Sequence, residues 1–172
     1  MKTAPLQDCY TIEPLSSEHD RRSFLCGDPA LDRYLYQQAS QDSRRNFATV
    51  FVAVESNSGA LHGFYSLSMA SVNLDLLPPD LARKMPRYPT VPAIRLGRLA
   101  VHLDIQRRGL GTYLLLDAMR RSLRNDIAWT AFIVEAKNTT AREWYTSFGF
   151  QHFVDNKNHL YLMRKPIESL RL

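Results

Sequence analysis

The stretch Gln106-Arg107-Arg108-Gly109-Leu110-Gly111 stands between an apolar strand-like run, Ala93 to Leu103, and a helix-like run, Tyr113 to Leu123. A strand, a glycine-bearing turn and a helix in that order predict an α/β fold whose turn offers backbone N–H groups at a helix start. Gly109 and Gly111 carry no Cβ, so the backbone there can take unusual dihedrals and come close to an anion. The positive end of the helix dipole adds to the attraction. The stretch therefore reads as a phosphate cradle. The competing reading is a tight strand-to-helix turn whose glycines serve packing only.

The spacing Q-x-x-G-x-G departs from the dinucleotide pattern G-x-G-x-x-G and from the G-x-x-x-x-G-K-[ST] of NTPases, and the acid of a Rossmann fingerprint has no clear candidate downstream. Both classes are set aside. With 172 residues, 45% of them hydrophobic, the chain suits one core, so residues 1–172 are read as a single domain. There is no run of eighteen apolar residues and no charged-then-apolar leader, so a cytoplasmic protein with no membrane partner is expected. Cys9 and Cys26 are too few for a disulfide framework. The histidines show no metal-ligand spacing, and no metal is expected.

Lys and Arg number 22 against 17 Asp and Glu, a formal net charge of +5, which predicts attraction to polyanions. The basic residues cluster: Arg21-Arg22, Arg44-Arg45, Arg83-Lys84 with Arg87, Arg95 and Arg98, Arg107-Arg108, and Arg120-Arg121 with Arg124. Arginine predominates, which suits forked recognition of phosphate oxygens, although solvated surface charge explains any single pair equally well.

Along the chain, Tyr10 to Ile12 predicts a first strand ended by Pro14. Asp28 reads as an N-cap with Pro29 at the first helical position, and Leu31, Leu35 and Ala39 as the helix stripe. Phe47 to Val54 and Leu61 to Ser68 predict an antiparallel pair joined through Asn57-Ser58-Gly59. Pro78, Pro79, Pro86, Pro89 and Pro92 punctuate a loop with a short helix at Leu81 to Lys84, expected to border the active-site cleft. On the helix from Leu110 to about Arg124, residues Leu114, Leu115, Ala118 and Met119 share one face. Tyr113, Asp117, Arg120 and Arg124 share another, expected to be free for solvent or nucleic acid. Trp129 to Glu135 reads as a buried strand, Thr139 to Ser147 as a helix, and Gly149-Phe150 onward as two closing strands ending near Met163.

The run Ile94 to Val101 followed by Gln106 to Gly111 resembles motif A of the GNAT acyltransferases. Asn138 and Ala141-Arg-Glu-Trp-Tyr-Thr-Ser-Phe-Gly-Phe150 resemble their motif B. The resemblance implies a GNAT fold of α/β (α+β) class: a central mixed, mostly antiparallel sheet with a splayed coenzyme-binding strand and helices on both faces. Within the superfamily, four stretches are similar to the toxin acetyltransferases of bacterial toxin–antitoxin pairs, from about Leu15 to Arg164. These are Phe24-x-Cys-Gly-Asp-Pro-x-Leu-Asp32, Gly63-Phe-Tyr-Ser-Leu-Ser68, Leu96-Gly-Arg-Leu-Ala-Val101 and Ala141-x-x-Trp-Tyr-x-x-Phe-Gly-Phe150. That resemblance implies acetylation of the α-amino group on aminoacyl-tRNA with acetyl-CoA as donor, a block of translation, a ribbon-helix-helix antitoxin as partner, and a homodimer.

It also assigns roles. Backbone groups of Leu99, Ala100 and Val101 pair with the pantetheine arm. The turn Gln106, Arg107, Arg108, Gly109, Leu110, Gly111 and Thr112 holds the diphosphate. Asn138 bonds the pantetheine arm or caps the motif B helix, and Tyr145 protonates the leaving thiolate, with core packing as its rival role. Arg98, Arg95, Arg87 and Arg45 are assigned to tRNA phosphates, a structural salt bridge being the alternative for Arg98. His102 stands where related enzymes often have Asp. An α-amino group titrates at about 8, roughly two units below a lysine side chain, so the lack of an evident general base is tolerable. The alternatives are a GNAT acting on a small amine or protein N-terminus, and a non-catalytic regulator that binds coenzyme or RNA.

Overall fold

The computed structural model describes residues 5–170. The short helix α1 (Leu6–Cys9) leads into β1 (Tyr10–Pro14). The helical stretch that follows begins with α2 (Pro29–Arg33), passes through a π-helical turn at Tyr34–Gln38, and ends as α3 (Ala39–Arg44). Its start follows the expectation: the Asp28 carboxylate accepts from the N–H groups of Ala30 and Leu31, satisfying two of the donors a helix start leaves open. Next come β2 (Thr49–Glu55), β3 (Leu61–Asn73), α4 (Pro79–Ala82), β4 (Thr90–Val101), α5 (Leu110–Leu123), β5 (Ala131–Glu135), α6 (Thr139–Thr146), β6 (Gln151–His152), β7 (His159–Met163) and α7 (Arg164–Ser169). Helices α1 and α7 were not anticipated. The second strand starts at Thr49 rather than Phe47, because α3 and its cap run through that position.

The seven strands form one sheet in the order β1-β2-β3-β4-β5-β7-β6. Pairing is antiparallel between β1 and β2, β2 and β3, β5 and β7, and β6 and β7, and parallel between β4 and β5. The β4–β5 register runs from Ala93↔Ala131 to Leu96↔Val134, whereas β4 itself continues to Val101.

The fold divides into two compact units. The first comprises residues 5–68 with Arg98–Ala118. Its core gathers Phe24, Tyr34, Leu35, Val52, Phe64 and Ala100. The second comprises Met69–Gly97 with residues 119–170. It packs Val72, Leu77, Ala93, Ile133, Phe153 and Tyr161 together. On α5 the predicted apolar stripe, Leu114, Leu115, Ala118 and Met119, is fully buried. The opposite stripe is not a free basic face: Asp117 accepts a 2.6 Å hydrogen bond from the Tyr65 hydroxyl, and Nε of Arg120 is buried, leaving only Arg124 of the four exposed. Among the described residues, no helix is long and apolar enough to cross a membrane. No group of three or more His, Cys, Asp or Glu among them is arranged to hold a metal ion.

Candidate active site

The turn from Gln106 to Gly109 is exposed and leads directly into α5. Two of its residues take left-handed backbone, Arg107 at φ 62° and Gly109 at φ 91°, so the chain coils tightly just before the helix. The Gly109 carbonyl accepts from the Tyr113 N–H at 3.0 Å, which puts Gly109 at the cap of a 14-residue helix whose first N–H groups have no acceptor within it. A Cβ on Gly109 would lie 3.3 Å from Leu6 Cδ1 and would be strained at this φ. Gly111 lies inside the first turn of α5, without a positive φ, so only Gly109 needs its glycine freedom. Backbone N–H groups at a helix start, gathered by a left-handed turn, are the donor set a diphosphate needs.

The turn is tied down from behind. Gln106 Nε2 donates to the carbonyls of Cys26 (2.8 Å) and Val101 (2.9 Å). Both amide hydrogens are thus spent on the protein, and Gln106 holds the turn through its side chain. Leu103 N–H donates to the Leu25 carbonyl at 2.9 Å. His102 closes the same seam: Nδ1 accepts from Asp104 N–H at 3.3 Å and Nε2 lies 3.2 Å from the Ser23 carbonyl. The Nε2-protonated tautomer satisfies both contacts, so this histidine caps the 3-10 turn Leu103–Ile105, as an aspartate could, and adds a second anchor. Gly27, at φ 88°, lets the segment approach; a Cβ there would meet Leu103 Cδ2 at 3.0 Å. The buttress Ser23–Gly27 escaped the sequence reading, and the Gly27-Asp28-Pro29 punctuation was its only local signal. Within this seam the Cys26 thiol is buried, and desolvation, then the neighbouring Asp32, pushes its pKa up to about 11, so it stays an unreactive thiol.

Of the strand residues, Ala100 is buried, while Leu99 and Val101 are partly exposed and the Val101 carbonyl is held by Gln106. The Arg98 guanidinium lies over the buried Tyr34 ring, 3.6 Å from its centroid, a cation–π contact in place of the salt bridge weighed from sequence. Burial, then the Asp42 carboxylate, pushes the Tyr34 phenol up to about 12. Arg45 is exposed at the end of α3.

In the second unit, α6 begins at Asn138, whose side chain accepts from the Ala141 N–H at 2.8 Å; of its two predicted roles the cap is observed. Two helical turns later Tyr145 is buried edge-on against Trp144 (4.9 Å between centroids) and Phe150 (5.5 Å). Among the described residues its hydroxyl has no hydrogen-bond partner, although the ring is enclosed. Desolvation raises its pKa above the ordinary phenol value and keeps it a neutral acid. Arg87 and Arg95 are both exposed. The proline-punctuated stretch, with Pro78, Leu81 and Lys84, lines a cavity of about 530 Å³ together with Phe148, Tyr161 and Pro166. Tyr145 is not in that lining.

Residues 46–152 match the model of the acetyltransferase (GNAT) domain, a span that includes both the phosphate turn and the tyrosine helix. The chain belongs to the GNAT acetyltransferases. A "tRNA-acetylating toxin" of Mycobacterium tuberculosis is 35% identical over 158 residues, 91% of this chain and 93% of the relative. Among solved structures, AtaT complexed with acetyl-methionyl-tRNAfMet superposes with a TM-score of 0.86 at 29% identity, covering 95% of this chain and 99% of AtaT. An AtaT variant bound to the C-terminus of the antitoxin AtaR and to acetyl-CoA gives 0.79 at 27% identity, covering 95% and 98%. The turn and seam of this GNAT enzyme fit an acetyl-CoA donor: a left-handed coil, a glycine whose Cβ would be strained, and the N–H groups of a helix start form an anion cradle.

Proposed function

We propose that this GNAT acetyltransferase transfers the acetyl group of acetyl-CoA to the α-amino group of the amino acid on charged tRNA, and thereby halts translation. The observation that carries the reading is identity of 35% to a tRNA-acetylating toxin across 91% of the chain. The whole of residues 1–172 acts as one catalytic domain in this reading.

The coenzyme brings an activated thioester; the amine nitrogen attacks its carbonyl carbon, a C–N bond forms, the C–S bond breaks, and the nitrogen gives up a proton to solvent, from which Tyr145 is reprotonated. The N–H groups of Arg107 to Thr112 hold the diphosphate, and the Arg108 side chain adds charge. Backbone groups of Leu99, Ala100 and Val101 hold the pantetheine arm. Tyr145 donates the proton that the departing thiolate takes up; its unpartnered hydroxyl supports the role, and the raised pKa keeps the phenol protonated at neutral pH. The cap made by Asn138 leaves its side-chain NH2 available for a coenzyme amide. Arg98, Arg95, Arg87 and Arg45 receive tRNA phosphates. Working in the cytoplasm as a homodimer, the enzyme is neutralised by a ribbon-helix-helix antitoxin.

The test offers radiolabelled acetyl-CoA with charged tRNA, polyamines and peptides in separate reactions. Label entering only charged tRNA, in an alkali-labile aminoacyl ester, is the expected result. Label entering polyamines or peptide N-termini instead would replace the reading with a small-amine or N-terminal acetyltransferase, and no turnover on any amine would leave a coenzyme- or RNA-binding regulator.

A further inference from the structure

Helix α3 closes with a cap of defined geometry. The Asn46 N–H bonds the Ser43 carbonyl at 3.3 Å and the Phe47 N–H bonds the Asp42 carbonyl at 2.9 Å, with Asn46 in the left-handed region at φ 59°. This is the Schellman pattern, in which the residue at the Phe47 position ordinarily folds back onto the last helical turn as an apolar contact. Here it does not: Phe47 is 73% exposed. Two backbone hydrogen bonds on one side, and β2 starting at Thr49 on the other, fix the stem from which the ring projects. Arg44, Arg45 and Asn46 beside it are also exposed. Among the described residues neither arginine has an ion-pair partner. Four consecutive exposed side chains therefore offer two unengaged guanidinium groups, an amide and a fixed aromatic face, with no acid among them.

We infer that Phe47 is a stacking platform for an unpaired base of the RNA substrate, with Arg44 and Arg45 taking the adjoining phosphates. The inference rests on the aminoacyl-tRNA reading and deepens it. An aromatic face with flanking arginines is the chemistry that grips single strands, because every base has a π-face and every linkage a charge. A duplex hides its base faces, so the site suits the unpaired nucleotides at the amino-acid-bearing end.

The experiment compares steady-state acetylation of charged tRNA and of a small aminoacyl methyl ester by the full chain and by F47A, F47W and F47L. F47A is expected to raise KM for charged tRNA by roughly 5- to 100-fold, the scale of one lost base–aromatic stack. It leaves kcat, KM for acetyl-CoA and the ester reaction unchanged. F47W restores the KM and F47L does not. An unchanged KM in F47A, or recovery in F47L as full as in F47W, overturns the platform while leaving the substrate reading standing. A KM change accompanied by altered sedimentation of F47A also overturns it, by making Phe47 a contact between protein chains. Wild-type protein that acetylates the ester but no charged tRNA removes the substrate reading, and the platform with it.

Discussion

The Gln106 side-chain amide holds the Cys26 carbonyl at 2.8 Å, joining residues 80 positions apart, and the same nitrogen holds Val101. The phosphate turn is thereby fastened to a segment that follows the first strand. Replacement by alanine removes two neutral hydrogen bonds at about 1 kcal/mol each. Gln106→Ala is expected to raise KM for acetyl-CoA up to roughly 30-fold while kcat falls much less. Gln106→Glu, which sets a carboxylate against two carbonyl oxygens, is expected to be worse. Titration calorimetry with coenzyme A checks both.

Tyr145→Phe keeps the ring against Trp144 and Phe150 and removes no hydrogen bond among the described residues. The variant should melt within a few degrees of wild type, while kcat drops by about 10²–10⁴, the range for a lost acid–base group. Because burial raises the Tyr145 pKa, the phenol remains protonated through the neutral range and beyond pH 10. The wild-type kcat profile should therefore show no alkaline loss assignable to this group below that pH. Full activity in the variant would take Tyr145 out of the mechanism.

Tyr34 and Cys26 are raised from 10.0 to about 12 and from 9.0 to about 11. The unfolded chain releases these protons first, so their contribution is complete below pH 9 and is lost as pH rises toward 12. Urea midpoints are expected to fall between pH 9 and pH 11, and Tyr34→Phe to flatten the upper part of that slope. A midpoint that stays level across this window would contradict the assignment.

Asp28→Ala removes the acceptor for two N–H groups at the start of α2. The expected cost is about 1 kcal/mol, or roughly 2–4 °C in Tm for a chain of this size, with Asp28→Ser recovering most of it. Differential scanning calorimetry decides.

Binding of charged tRNA should weaken steeply with salt, log K falling by about 0.7 to 0.9 per log unit of salt for each phosphate neutralised. Arg87→Ala and Arg45→Ala should each reduce that slope by roughly one contact. A flat response measured by filter binding would dissociate the basic clusters from RNA.

Local chemistry carried much of the outline. Asp28-Pro29 started a helix, Asn57-Ser58-Gly59 turned a hairpin with Gly59 at φ 72°, and the stripe Leu114, Leu115, Ala118 and Met119 went into the core. Each is settled by atoms within a few residues, where capping, turn dihedrals and helical period act. The residues of the strand–turn–helix around Gly109 and those of the tyrosine helix, in that order, carried the resemblance to the GNAT fold. Pairings across the chain were out of reach: Gln106 with Cys26, Arg98 over Tyr34, and the Tyr65 hydroxyl on Asp117. These depend on which strand lies beside which and in what register, and a partner 52 or 80 positions away leaves no periodic trace. The same cause hid the exposure of Phe47, which was expected to open a strand and which lies instead in the cap of α3, open to solvent. The amino-acid order alone thus determined most of the elements and the family, and the packed structure decided which side chains were consumed as ties and which were left open for chemistry.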